Sequence, residues 1–380
     1  MRPVYGVADA IARFGGRFIA QCGPNAFQLK VLHALTVCRT AHLGGHQDAC
    51  TGCGAVRYSY NSCRNRHCPK CQGQKQAIWA DDLIKRTLPV KHYHMVFTVP
   101  HGLNGACLLD GKWFYDNLFA AVWDTLRTFG YSRFGVEGGA VCVLHTWGQN
   151  LGLHPHIHCI VPAAGITLKG AAKHIGKQGK YLYPVKQLGP VFRGKLLQRL
   201  EKHPTPKAAV GEYMPALAAA RKLPWVVFCE PSMGKPEHVI KYLGQYTHRV
   251  AISDHRITGI DESHVTFMHK DYADNARQKP IRLDGVEFLR RFCMHILPHG
   301  FVKIRRYGIY SSRYTALAPK APPVALPVLA ETKQQRVARI TGFDVHLCPA
   351  CKNGTMVHIA VIPRVRSPCG LFVFKETIVV

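Results

Sequence analysis

Acidic residues are scarce in this chain: 22 Asp and Glu stand against 50 Lys and Arg over 380 residues, a formal charge of +28. The excess is spread along the whole length, so the folded surface should be basic and its partner a polyanion, nucleic acid being the usual one. The same scarcity weakens any carboxylate-triad chemistry, because the acids near strand-like runs show no triad spacing. Long apolar runs are also missing. None approaches the ~20 residues of a transmembrane helix, and the opening MRPVYGVADAIARFGG has no signal-peptide core. These absences lead us to expect a soluble, cytoplasmic, nucleoid-associated protein with no membrane partner. No GxxxxGK[ST] phosphate loop is present, which excludes a fused P-loop helicase.

Cysteine, by contrast, is plentiful, with 15 in the chain, several of them in Cys-x-x-Cys pairs. In a reducing compartment such pairs read as zinc ligands rather than disulfides. Cys50 and Cys53 precede Cys68 and Cys71 by a 14-residue gap, and we expect these four thiolates to complete one tetrahedral structural zinc site. Cys63, His67 and His46 lie close enough to substitute for one of the four or to build a second site. Arg57, Arg64 and Arg66, with Tyr58 and Tyr60 among them, suit a nucleic-acid grip. A last pair, Cys348 and Cys351, has no obvious partner pair; His346, His358 or Cys369 could complete it.

The chemistry concentrates in LHPHIHCIVP. In a strand, His156 and His158 share one face while Ile157 and Cys159 turn to the core. Two parallel imidazoles form half of a divalent-metal site. A hairpin turning at Asn150–Leu153 would set the preceding strand beside them, where His145, Trp147 and Gln149 share a face. Gln149 is the nearest polar candidate for a third ligand and His145 the next; an amide oxygen with two imidazoles would suit magnesium or manganese. His154 lies on the same face, where we expect it to contact DNA or to be exposed at the turn. Downstream, GKPEHVIKYLGQYTHRV places Tyr242 and Tyr246 four residues apart, on one side if helical. A metal-bound phosphate facing a tyrosine hydroxyl suggests in-line attack that leaves a 5′-phosphotyrosine and a free 3′-OH. Lys241, His248 and Arg249 could stabilise the charge that develops.

Between these motifs, HYHMVFTVP and GAVCVLHTWGQ read as strands, WFYDNLFAAVWDTLRTFG as a helix, and VFRGKLLQRLEKH (Val191–His203) as a second, basic helix. HVTFMH and FVKIRRYGIY read as further strands, and ALAPKAPPVALPVLA as an extended linker.

With these residues in view, the chain resembles the zinc-headed rolling-circle insertion-sequence transposases of the HUH, two-tyrosine class. The resemblance is carried by CRTAHLGGHQDACTGCG, NSCRNRHCPKCQ, HTWGQNLGLHPHIH, KYLGQYTHRVAIS and LPHGFVKIRRYGIYSSR. It implies an α+β protein: a zinc-ribbon-like head (residues 1–85), a ferredoxin-like HUH endonuclease domain with an antiparallel central sheet (86–260), a basic accessory region (261–315), and a Pro/Ala-rich linker with a CPAC tail (316–380). It also implies catalytic Tyr242 and Tyr246, magnesium or manganese at His156 and His158, and a polar third ligand that favours Gln149. Structural zinc would sit in the head, and single-stranded DNA with hairpins at the element's ends would be the substrate. Lys303 and Arg305 would join the DNA contacts. Oligomeric state is left open, a homo-oligomer included. Two other readings stand beside this one: an HUH replication initiator or relaxase, and a non-catalytic zinc-ribbon DNA-binding protein.

Overall fold

The computed structural model describes residues 3–176, 182–203, 207–229, 251–272, 274–312 and 331–365. Helices α1 (Val7–Cys22) and α2 (Ala26–Thr36) open the chain, followed by β1 (Gly45–Cys50), β2 (Val56–Tyr60) and α3 (Pro69–Lys85). Pro69 takes the first position of α3, where its missing N–H leaves nothing unpaired. Strand β3 (His92–Thr98) leads through α4 (Asn104–Leu109) into α5 (Gly111–Phe134). The Asp110 carboxylate caps α5 by accepting from the Trp113 N–H at 3.0 Å, and Gly135 ends it at φ +66°. Then come β4 (Val136–Glu137), β5 (Gly139–Trp147), β6 (Leu153–Pro162), β7 (Ala164–Thr167), β8 (Ala172–His174), α6 (Val185–Leu200), α7 (Lys207–Lys222) and β9 (Val227–Cys229). The remainder is β10 (Ile257–Ile260), β11 (His264–Asp271), β12 (Arg277–Asp284), α8 (Gly285–Met294), β13 (Ile304–Gly308), α9 (Lys333–Thr341) and β14 (Met356–Ile362).

This is an α+β architecture around an antiparallel five-stranded sheet in the order β13-β5-β6-β3-β9. Strand parity divides its side chains. Tyr93, Met95 and Phe97, Cys142 and Leu144, and Ile157, Cys159 and Val161 all join the core made with α5, α6 and α7. Each large side chain fully buried there, Phe97, Phe114, Phe119 and Phe192 among them, contributes about 1.5–3 kcal/mol. The alternate residues face the other way, where Val141 and Ile160 pack against Leu83 and Trp79 of α3. Both faces are therefore covered, which is why β5 is apolar along most of its length.

A second core joins the start of the chain to its later part. Val7, Ala10, Ile11, Phe14 and Phe18 line one face of α1 and pack on Val286, Leu289 and Phe292 of α8 and on Val265 and Phe267 of β11. The Phe14 ring lies so close over Gly285 that a Cβ there would overlap it.

One expectation needs correction. Helix α6 begins at Val185, six residues before Val191, and carries Pro190 inside it. Leu188, Phe192 and Leu196 share a buried stripe that holds the helix through the proline. The tail joins the head, since β14 pairs antiparallel with β1 to make a three-stranded β14-β1-β2 sheet. No described helix is long and apolar enough to cross a membrane.

Candidate metal centre and its surroundings

The β5–β6 hairpin positions the histidines. Its turn is closed by Gly148 N–H to Gly152 O at 2.9 Å and by Gly152 N–H to Asn150 Oδ1 at 2.9 Å, with Leu151 at φ +60°. Side chains from the second core clamp it. Arg256 donates to the Gln149 carbonyl, Arg291 to Asn150 O at 3.1 Å, and His295 to Leu151 O at 3.0 Å. In the resulting register His145 lies directly opposite His156, and Val143 opposite His158.

Three imidazoles thereby converge. One ring nitrogen from each of His145, His156 and His158 lies within 4.8 Å of the others. Ring centroids are 4.5 Å apart for His145 and His158, 4.9 Å for His156 and His158, and 5.3 Å for His145 and His156. Small rotations bring three such nitrogens onto one ion bonded at about 2.1 Å. His156 Nδ1 is 2.7 Å from the His154 carbonyl, so it carries the proton and leaves Nε2 as the lone pair. His158 Nδ1 is 2.9 Å from Nε2 of His94, which stacks on it with ring planes 4° apart. Burial lowers the His156 pKa to about 4, so the ring is neutral at pH 7 as a ligand requires.

Gln149 occupies the turn beyond a register shift between His145 and Trp147, and its backbone oxygen is taken by Arg256. The side chain that the sheet sets against the pair is His145, ranked second in the sequence reading. Beside the triad, Trp147 stacks on His145 at 4.6 Å, and Lys303 Nζ lies 5.0 Å over the Trp147 ring. Lys303, Arg66, His67, Trp147, Ala251 and His295 line a cavity there. Burial lowers the Lys303 pKa to about 7, with Arg66 adding to the effect. The His67 Nε2 is buried without a hydrogen-bond partner.

Tyr242 and Tyr246, with Lys241 and Arg249, lie outside the described residues. Strand β9 ends at Cys229, in register with Met95, and Ala251 lines the cavity just described.

The expected basic contacts fare unequally. Arg64 is exposed, at φ +55°. Arg66 donates to Phe301 O at 2.5 Å and faces the cavity. Arg57 instead bonds Asp48 at 3.0 Å and the Val345 carbonyl at 3.1 Å, tying tail to head. Arg305 pairs with Asp116 and lies over Phe119 and Phe301 at 4.3 and 5.2 Å, a packed structural cation.

The cysteines form two clusters rather than one, so the expected Cys50–Cys53–Cys68–Cys71 site is corrected. Cys38, Cys63, Cys68 and Cys71 gather in one place, Cys50, Cys53, Cys348 and Cys351 in another. In the first cluster Cys38 and Cys63 lie 3.4 and 3.6 Å from Cys71 by sulfur. Tetrahedral zinc with bonds of about 2.3 Å holds its sulfurs roughly 3.8 Å apart, so the set fits that ion. Each Cys-x-x-Cys pair did form a unit; which pairs meet is decided by tertiary structure. The Cys63 thiol, already weighed as a substitute, was the available clue.

Residues 139–316 match the family model described as "Putative transposase", and residues 10–99 that described as "Transposase zinc-binding domain". The chain is 39% identical over 385 residues to the "Putative transposase y4qJ" of Sinorhizobium fredii, covering 95% of this chain and 96% of that one. It is 26% identical over 302 residues to the "Transposase for insertion sequence element IS801" of Pseudomonas savastanoi pv. phaseolicola, covering 77% and 72%. Among solved structures, the conjugative relaxase TrwC, in a metal-free complex with oriT DNA, aligns with a TM-score of 0.23 at 12% identity, over 41% of this chain and 71% of that one.

Proposed function

The chain belongs to the insertion-sequence transposases that carry an N-terminal zinc-binding domain, and from that premise we propose that it nicks and rejoins single-stranded DNA at element ends through a 5′-phosphotyrosine, driving rolling-circle transposition. The observation that carries this reading is the triad of His145, His156 and His158, beside a cavity lined by Arg66 and Lys303. Tyr242 and Tyr246, four residues apart in the sequence, would supply the nucleophiles.

The donor set bears on the metal. Three imidazoles are nitrogen ligands, which suit manganese better than magnesium, an ion that prefers oxygen. When bound, the ion supplies charge withdrawal and a fixed position for the scissile phosphate. The protein's part is orientation and charge. With the His154 carbonyl accepting the His156 Nδ1 proton and His94 bonded to His158 Nδ1, the Nε2 atoms of both rings would be left to hold the ion. Arg66 supplies positive charge in the adjoining cavity, and Lys303 adds to it when protonated, where the phosphate backbone can be held. The tyrosine oxygen attacks phosphorus, the 3′-oxygen leaves and takes up a proton, and the phosphodiester energy is kept in the tyrosyl ester. A tyrosine pKa of about 10 makes such activation necessary at neutral pH. Two tyrosines allow one cleaving and one resolving step, on hairpin-bearing DNA of the cytoplasmic nucleoid.

The test is a denaturing gel of the full chain incubated with manganese and labelled single-stranded oligonucleotides from the element's ends. A slow covalent adduct is expected, lost in His156→Ala and changed by Tyr242→Phe or Tyr246→Phe. Tight binding without an adduct at any metal would reject the nuclease reading in favour of a DNA-binding role.

A further inference from the structure

The matched zinc-binding region stops at residue 99, whereas half of the second thiol cluster comes from the tail at Cys348 and Cys351. We infer that Cys50, Cys53, Cys348 and Cys351 hold a second zinc ion, one that clasps the tail onto the head. The chain then carries two structural zinc ions, and the head is completed only by residues about 300 positions downstream.

Geometry supports this first. The Cys50 and Cys351 sulfurs are 3.7 Å apart, and those of Cys53 and Cys348 3.8 Å. These are the edges of a tetrahedron with zinc–sulfur bonds of about 2.3 Å, and far beyond the ~2.05 Å of a disulfide. Both pairs are also folded as metal knuckles. Gly52 and Cys53 donate their N–H groups to the Cys50 sulfur at 3.3 and 3.5 Å, and Gly354 donates to the Cys351 sulfur at 3.2 Å. Donors aimed at sulfur favour the thiolate, the form that binds metal. The knuckles meet at Gly52 and Gly354. A Cβ on Gly354 would run into the Cys50 sulfur, so the approach of the two pairs requires glycine there.

The surrounding fold brings the tail to this point by independent contacts. Strand β14 pairs with β1 from Gly45↔Ile362 to Cys50↔Met356. Thr51 N–H donates to Thr355 O at 3.0 Å, continuing the pairing up to the knuckles. Helix α9 docks on α3, with Arg336 bonded to Asp81 at 2.7 Å and to Asp82 at 2.6 Å. Thiolate-only ligation selects zinc or iron, and zinc is the ion whose structural sites take four such ligands with no open position.

Metal analysis of the purified full-length chain tests the inference. We expect two zinc per chain in the wild type and one in Cys348→Ser/Cys351→Ser. That variant should also lose its tail to trypsin faster, on the order of tenfold or more, once the clasp is gone. A variant that fails to fold leaves a second route. Cys348→His keeps four ligands, so zinc stays at two, and after cobalt substitution the absorption of one site alone should change from four-sulfur to three-sulfur character. One zinc in the wild type, two in the double serine variant, a cobalt spectrum indifferent to Cys348→His, or iron in place of zinc would each overturn the assignment.

Discussion

The third ligand is the point at which the metal centre can be broken most informatively. His145→Phe keeps an aromatic ring against Trp147, which stacks on His145 at 4.6 Å, and removes only the donor nitrogen. Loss of an orienting partner outside the ligand set typically weakens a metal site 10–100-fold. His94 is such a partner, 2.9 Å from His158 Nδ1, so His94→Leu should cost that much, about 1.4–2.7 kcal/mol. Losing a ligand outright should exceed it, so His145→Phe is expected to weaken manganese binding by more than about 100-fold. Gln149→Ala, at a residue the hairpin leaves in its turn, should stay within a few-fold of wild type. Titration with Mn²⁺, following the spin-resonance signal of the free ion at pH 7.5, ranks the three, and unchanged zinc content controls for folding. The reasoning fails if Gln149→Ala matches His156→Ala while His145→Phe binds like wild type.

Other predictions follow from the surroundings. Lys303, depressed to about 7 in the fold against ~10.4 unfolded, leaves the unfolded chain holding more protons between those values. Its contribution to stability therefore improves as pH rises from about 7 to 10, and the stability of wild type relative to Lys303→Met in urea melts should climb over that range; a flat difference contradicts it. Gly285→Ala forces a methyl group into the Phe14 ring and should lower stability by about 1–3 kcal/mol in denaturant melts. Wild-type stability there would mean that α1 and α8 slide apart at little cost. Tyr58 and Tyr60, 59% and 40% exposed on β2, are placed to stack on unpaired bases. Replacing each by Ala should weaken single-strand binding by about 1–3 kcal/mol, read by fluorescence anisotropy, and unchanged affinity would remove β2 from the DNA path.

The parts of the site set by local geometry were legible in the sequence. Period-two alternation alone placed His156 and His158 on one face, with Ile157 and Cys159 in the core. The hairpin was also expected, since apolar runs flank Gly-Gln-Asn-Leu-Gly. The third ligand was harder, because the register shift between His145 and Trp147 cannot be read from spacing, and it decides which side chain faces the pair. The zinc sets were harder still. A Cys-x-x-Cys knuckle is a local unit, but its partner is chosen by strand pairing across the chain. Proximity in sequence suggested Cys68 and Cys71 for Cys50 and Cys53, whereas the β1–β14 ladder delivers Cys348 and Cys351. Arg57 and Arg305 illustrate the same limit: a cation reads as surface charge until the buried Asp48 or the half-buried Asp116 is found beside it.

The strand order β14-β1-β2 also has a consequence in time. During synthesis β1 emerges with β2 as its one neighbour, and its other edge stays open until Met356–Ile362 has been made. At 5–20 residues per second that interval lasts roughly 15–60 s. A nascent or prematurely terminated chain thus exposes an unpaired strand edge beside Cys50 and Cys53, two thiols still without their partners. Such an edge invites chaperones and proteases. The head's three-stranded sheet is complete only after the ribosome has passed residues 139–316, so chains that stop short of the tail are expected to meet chaperones and proteases with β1 unpaired.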